Sequence, residues 1–164
     1  MIKRIILHWT AGTNQPSRTD YEHYHYLING DGLVLQGKHK VSDNENCNDG
    51  VYAAHTGGGN TGSIGIAVCG MLGYHSPKNI GKYPITKIQT EKLFEFTAKI
   101  CKDYNLQITP NTVMTHYEFG KRNPKTTSAG KIDITHLPSY PNIIANNMGD
   151  FIRNKVKWYY NKQN

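Results

Sequence analysis

Residues 2–12 of the chain have the sequence IKRIILHWTAG. After two basic residues the side chains are apolar and partly β-branched, which favours a buried β-strand. The segment 10–12 then brings small and polar residues with a glycine, a composition typical of a turn. This stretch therefore predicts a first buried strand that ends at His8 and Trp9, where a polar loop begins.

The rest of the chain shows an alternation of strand-like and helix-like segments. Thr86 is a plausible N-cap for the clearest helix, whose apolar residues recur at helical spacing. A long segment at 117–133 contains glycine and proline and is predicted to be a loop of functional importance. Further strands are expected at residues 24–29, 33–37, 63–70 and 112–116, a short extended piece at 51–55, and helices at 17–23, 86–104 and 141–160. This order predicts an α/β fold with a central mixed β-sheet flanked by helices.

The length and composition indicate a single domain over residues 1–164. Hydrophobic residues make up 37% of the chain and charged residues 19%, as in globular proteins. The apolar runs are too short for membrane insertion, and the first apolar run is too short for a signal peptide. We therefore expect cytoplasmic synthesis without a signal peptide. Three cysteines without C-x-x-C spacing predict neither a disulfide framework nor a cysteine-based zinc site.

The chain is basic, with 19 lysines and arginines against 12 acidic residues and a net charge of +7. Such a charge attracts anionic partners, whether nucleic acid, an anionic envelope polymer or anionic lipid. The basic residues are scattered and are not interleaved with aromatic ones. We therefore expect no specific recognition of nucleic acid.

Three potential metal ligands lie at or just beyond the ends of predicted elements: His8, His116 and Asp133. A hydrolytic zinc ion needs three protein ligands and an open position for water. Two alternatives remain open from the residues alone. The histidines could be half-buried structural residues, or the set could serve a non-haem iron oxygenase. His136, three residues after Asp133, is an alternative third ligand.

Five short motifs occur in one order along the chain. They are HWTAG at 8–12, YHYLINGDG at 24–32, AHTG at 54–57, NTGSIGI at 60–66, and TH at 115–116 followed by GKID at 130–133. Together they resemble the type 2 N-acetylmuramoyl-L-alanine amidases, a family that shares its fold with peptidoglycan recognition proteins and some phage lysozymes. The resemblance covers about residues 1–138 and implies that fold for this chain.

The resemblance also implies roles for individual residues. His8, His116 and Asp133 would be the ligands of a catalytic Zn²⁺ ion. Tyr24 and Lys131 would be the catalytic pair beside the metal. On an extended segment, residues two apart share a face, so Lys131 and Asp133 could serve the same carbonyl.

His55 and Trp9 would line the substrate groove or, in the case of His55, support the metal ligands. The sequence departs from the family pattern at three places, one of which is the long loop between His116 and Lys131. Many members carry a glutamate where this chain has Ala67; the phage lysozyme branch lacks that glutamate, and this chain resembles that branch. Residues 134–135 are Ile-Thr, where many members have Pro-Gly after the metal aspartate.

The resulting hypothesis is zinc-dependent hydrolysis of the bond between N-acetylmuramic acid and L-alanine in peptidoglycan. We expect a monomeric phage or prophage endolysin that acts at the cell wall after release. The alternatives are a non-catalytic peptidoglycan-binding module and a cytoplasmic amidase that recycles muropeptides. A basic nucleic-acid binder is a further alternative, which lacks any supporting motif.

Overall fold

The computed structural model describes residues 1–163 and confirms the predicted α/β fold. Among these residues, no helix is both long and apolar enough to cross a membrane. The strands are β1 (Arg4–Trp9), β2 (Tyr26–Ile28), β3 (Val34–Gln36), β4 (Ser63–Val68) and β5 (Val113–Thr115). The helices are α1 (Arg18–His23), α2 (Lys87–Asp103), α3 (His116–Arg122) and α4 (Ala145–Lys162), with a short 3-10 helix at Val41–Glu45.

The five strands form one mixed sheet in the order β3-β2-β4-β1-β5. Only the β2–β3 pairing is antiparallel, as expected for a hairpin, and the other three pairings are parallel. Ala67 of β4 is in register with His8 on one side and with Leu27 on the other. These three side chains therefore share one face of the sheet.

The two faces of the sheet have different coverings. Successive strand residues point to opposite faces, so Leu7 and His8 face opposite ways. Leu7 belongs to the main core, which is shared with α2 and α4. Ile6 packs on the other face with Phe119 of α3. The buried His8 therefore lies on the sheet face away from α2 and α4, beneath the loops and α3.

Helix α2 begins and ends within a residue of the prediction. Thr86 is its N-cap and forms a reciprocal capping box with Gln89. Leu93 and Phe94 are fully buried against the sheet. The capping residues and the apolar face of this helix are local features of the sequence, and for that reason the prediction succeeded.

Helix α4 begins at Ala145, and the prediction that it starts near Pro141 was wrong. The preceding residues form turns, in which the Tyr140 amide donates to Leu137 and the Ile143 amide donates to Tyr140. Ile144 then adopts an extended conformation as the N-cap. The apolar periodicity of this region continued into the turns and hid the boundary.

The segment 117–133 is not a loop throughout, because α3 occupies its first part. Thr115 caps this helix, and its hydroxyl and the Glu118 carboxylate form a capping box. His116 is consequently the first residue of a helix and not the end of a strand. The Thr-x-x-Glu spacing is a capping signal that was present in the sequence.

Residues 41–55 also differ from the prediction. The 3-10 helix at Val41–Glu45 was not predicted, and the extended piece expected at 51–55 pairs with no strand. The buried Asn44 organises this region, because its amide group bonds both the amide and the carbonyl of Ala53. Side-chain bonding to the backbone, and not sheet pairing, holds the segment 51–55 in place.

Candidate metal centre

Three potential ligand atoms from separate parts of the chain meet on the sheet face that α3 and the loops cover. The Nδ1 atom of His8 lies 3.1 Å from Nδ1 of His116 and 3.1 Å from Oδ2 of Asp133. The distance between His116 Nδ1 and Asp133 Oδ2 is 3.3 Å. The structure thus brings together the three residues that the sequence proposed as ligands.

The three groups are buried: His8, His116 and Asp133 are 0%, 5% and 9% exposed. Burial lowers the pKa of His8 to about 4, although the nearby Asp133 carboxylate opposes the shift. Burial alone would raise the pKa of Asp133, but the contacts with His116 and His8 outweigh it and lower the pKa. At neutral pH the site therefore holds a neutral His8 ring and a carboxylate, which are the forms that bind metals.

Hydrogen bonds alone cannot satisfy this triangle of atoms. If both Nδ1 atoms carried protons, the two hydrogens would face each other across 3.1 Å. If one or neither did, at least one nitrogen lone pair would face the carboxylate. A cation at the centre satisfies all three contacts. With bonds of about 2.0–2.2 Å, tetrahedral zinc places its ligand atoms roughly 3.3–3.5 Å apart, close to the observed separations.

Two of the three candidate ligands, His116 and Asp133, line a cavity of about 350 Å³. Its lining includes the other residues that the sequence singled out, namely Tyr24, Lys131, His55 and Trp9. Four of the five motifs, all except NTGSIGI, therefore contribute residues to this one cavity.

Tyr24 and Lys131 come from distant parts of the chain and line the same cavity. The Tyr24 ring centre lies 5.1 Å from that of His8. Burial, reinforced by the charge of Asp133, raises the pKa of Tyr24, so its hydroxyl keeps its proton at neutral pH. Lys131 is exposed, and its positive charge contributes to the lowered pKa of His8.

A sequence-family model described as N-acetylmuramoyl-L-alanine amidase matches residues 1–131. The chain belongs to this amidase family. Four of the five motifs lie within the matched residues, and the fifth begins there. Asp133 lies two residues beyond the match, and its place beside His8 comes from the structure.

Solved structures share the fold of this amidase family member. Hydrolase AmiA from Staphylococcus aureus, solved with its ligand, has a TM-score of 0.62 at 16% identity, covering 97% of this chain and 73% of AmiA. PlyL has a TM-score of 0.54 at 17% identity, covering 94% and 83%. Drosophila peptidoglycan recognition protein SD has a TM-score of 0.50 at 19% identity, covering 77% and 74%. No protein with a curated function matches the sequence. At these identities the structures show the fold alone, and that fold is the predicted one.

Trp9 is only 4% exposed, and its ring packs 4.9 Å from that of Tyr74. Tyr74 in turn stacks on His136 at 6.3 Å. Within residues 1–163, His136 is not part of the ligand group, so it is not the third ligand of this amidase-family site. It belongs to an aromatic stack beside the cavity.

Two residues that the sequence analysis did not single out contact the ligands of this amidase-family site. The Ser128 hydroxyl lies 2.9 Å from His116 Nε2, and the Thr56 hydroxyl lies 3.4 Å from His8 Nε2. Serine and threonine are common in loops, and no spacing rule connects either of them to its histidine. Only the tertiary structure reveals these contacts.

Proposed function

We propose that this chain is a zinc-dependent N-acetylmuramoyl-L-alanine amidase that cleaves the amide bond between N-acetylmuramic acid and L-alanine in peptidoglycan. The family supports the reaction class. The single observation that carries the metal dependence is the mutual approach of His8, His116 and Asp133 at 3.1–3.3 Å. Two imidazoles and one carboxylate are a donor set that zinc hydrolases use.

The residues fit a zinc ion in charge as well as in geometry. One carboxylate and two neutral imidazoles leave a bound divalent cation with a net positive charge, and the cavity leaves room for substrate. When bound, zinc would polarise the scissile carbonyl and lower the pKa of a water molecule.

Lys131 supplies a second positive charge at the same cavity. An ammonium group there can donate a hydrogen bond to the carbonyl oxygen as that oxygen gains negative charge. Because Lys131 is exposed, its side chain can reach substrate without the cost of being buried as a charge.

Tyr24 can act in the proton transfer that hydrolysis of the amide requires. Its raised pKa keeps the hydroxyl protonated, so it can donate to a water molecule or to the leaving amine. Ala67, beside His8 on the same sheet face, offers no acid or base. We therefore assign the proton transfer to Tyr24, and we assign Trp9, which is 4% exposed and belongs to the main core, to the support of the cavity wall.

The proposed role is that of a phage or prophage endolysin acting at the cell wall after its release. The net charge of +7 supports this role, because an anionic envelope attracts a basic enzyme. We propose further that the enzyme acts as a monomer.

The test is digestion of purified peptidoglycan, with free amines and reducing ends measured separately. We expect new amines without new reducing ends, loss of activity with chelator, and recovery with Zn²⁺. Lys131→Ala should lower kcat/KM by about 10²–10³-fold, as for loss of an oxyanion donor. Lys125→Ala is the matched control, because this exposed lysine belongs to the same segment and lies outside the cavity.

Two outcomes would separate the alternatives. Binding to peptidoglycan without amine release, even with zinc supplied, would indicate a recognition module and refute the proposed enzyme. Turnover of soluble muropeptides that exceeds turnover of intact sacculi would indicate a recycling amidase and refute the endolysin role.

A further inference from the structure

The imidazole of His55 lies behind His8 and is held from both sides. Its Nε2 atom faces the Ser63 carbonyl at 3.3 Å, and a carbonyl can only accept. Nε2 of His55 therefore carries the proton, and Nδ1 presents a lone pair. That lone pair faces Nε2 of His8 at 3.1 Å and the Thr56 hydroxyl at 2.7 Å.

This arrangement favours one nitrogen of His8 as the site of its proton. The Thr56 hydroxyl donates to His55 Nδ1, since otherwise two lone pairs would face each other at 2.7 Å. His8 Nε2 then faces the Thr56 oxygen at 3.4 Å and the single Nδ1 lone pair of His55, which it shares with the Thr56 hydroxyl. A proton on Nε2 of His8 satisfies these contacts and leaves the Nδ1 lone pair for a cation in the ligand triangle, where the Asp133 carboxylate at 3.1 Å is the competing acceptor for a proton on Nδ1.

An independent chain of hydrogen bonds fixes His116. The Ser128 hydroxyl donates to the Gly57 carbonyl at 2.7 Å, which leaves its oxygen as an acceptor. His116 Nε2 lies 2.9 Å from that oxygen and donates to it. The Nδ1 lone pair of His116 is then free for a metal ion.

We infer that His55 and Ser128 are positioning residues that fix the tautomers of His8 and His116, so that both Nδ1 lone pairs are preset toward one cation. Partners of this kind orient metal-binding histidines and raise their affinity. The inference rests on the proposed metal dependence of this amidase. The tautomers themselves, however, exist and can be measured without metal.

The strand beside His55 is adapted to this ring. Gly65 lies within the buried strand β4, where glycine weakens a strand and a β-branched residue would be favoured. A Cβ atom at Gly65 would lie 2.5 Å from Cγ of His55. Glycine at this position therefore gives the His55 ring room to lie beside His8.

The direct test is long-range ¹H–¹⁵N correlation spectroscopy of the histidine rings in the metal-free, full-length protein at neutral pH. We expect His8, His55 and His116 each to show a protonated Nε2 and an unprotonated Nδ1. A protonated Nδ1 on His8 or His116 in the folded wild-type protein would overturn the inference. This outcome is independent of whether the protein has amidase activity.

Variants then separate positioning from general stability. Ser128→Ala should move His116 toward the Nδ1-protonated tautomer, because Asp133 becomes its remaining acceptor, and should weaken Zn²⁺ binding by about 10–100-fold. The matched control is Thr90→Val, which removes another buried hydroxyl bonded to a backbone carbonyl, on the opposite sheet face. It should leave both the tautomers and the Zn²⁺ affinity unchanged.

For His55, the pair His55→Leu and His55→Asn distinguishes an acceptor from a packing group. Asparagine can present an oxygen near the position of Nδ1, whereas leucine cannot. We expect about 10–100-fold weaker Zn²⁺ binding in His55→Leu and partial recovery in His55→Asn. Equal Zn²⁺ affinity in Ser128→Ala, His55→Leu and the wild type would refute the inference, whereas failure of the wild type to bind Zn²⁺ would refute the proposed function.

Discussion

Helix α4 is joined to the metal-binding region by one buried arginine, and removing this arginine should destabilise the protein strongly. Arg153 is 5% exposed. It donates to both carboxylate oxygens of Glu118 at 2.9 Å and to the Val113 carbonyl at 2.9 Å. Glu118 in turn accepts from the Thr115 amide, immediately before His116. Arg153 thus supports the start of the helix that carries a proposed ligand.

The expected loss of stability in Arg153→Met comes from the Glu118 carboxylate, which would stay largely buried without its partner. Breaking a buried pair by removing one partner costs about 3–5 kcal/mol, because the other charge stays buried. The Glu118 side chain is 19% exposed, and Arg122 remains 3.4 Å away, so we expect the lower end of this range. For a domain of this length, about 3 kcal/mol corresponds to a fall in Tm of roughly 6–12 °C.

The assay is urea unfolding followed by circular dichroism, with excess chelator to exclude metal binding. Glu118→Gln combined with Arg153→Met removes both charges, so the double variant should lose at least about 1 kcal/mol less than the sum of the two single losses. Asp150→Asn is the control, because its carboxylate contacts Arg153 while being 79% exposed, and its midpoint should not change. An Arg153→Met loss below about 1 kcal/mol, with additive double-variant effects, would refute the reasoning.

Three further predictions concern the folded state without metal. Burial lowers the pKa of His25 from 6.5 to about 4, so the stability that its neutral ring contributes is complete above about pH 6.5 and is lost as the pH falls toward 4. Urea unfolding across this pH range should show the loss. An equally steep dependence of stability on pH in His25→Asn would contradict the prediction. Gly130 has a φ of +82°, and a Cβ atom added there would lie in open space. Gly130→Ala should therefore cost about 1–2 kcal/mol through backbone strain alone, and Gly130→Asn should cost less. Equal losses of the two variants in urea unfolding would argue against backbone strain. Phe94→Ala removes a fully buried ring and should cost about 3–5 kcal/mol in the same assay. Ile88→Ala, at a 65% exposed position, should change stability by less than about 0.5 kcal/mol. Similar losses in the two variants would contradict the assigned core.

Much of the fold could be predicted because its signals are local. The strand β1 follows from a short apolar run, and α2 follows from the Thr86 cap and an apolar face. Alternation along a strand places Leu7 and His8 on opposite faces of the sheet. The errors were also local: the turns before α4 and the Thr115 cap of α3 were misread, although the second carries a recognisable capping signal.

The composition of the candidate site was predictable, because the ordered motifs supply His8, His116 and Asp133. That these three side chains meet in space was only an expectation, because the sequence contains no information on the distances between them. His8 and Asp133 are 125 positions apart, and no periodicity extends over that separation. Sheet register and loop closure bring their atoms to 3.1 Å.

The sequence by itself determined most of the elements, their order and the donor types, because hydrogen-bonding periods and caps act over a few residues. The tertiary structure decided which donors face one another. The contacts of Ser128 with His116 and of Arg153 with Glu118 join residues with no local relation. Such contacts depend on the packing of loops and helices onto the sheet, which no local sequence rule specifies.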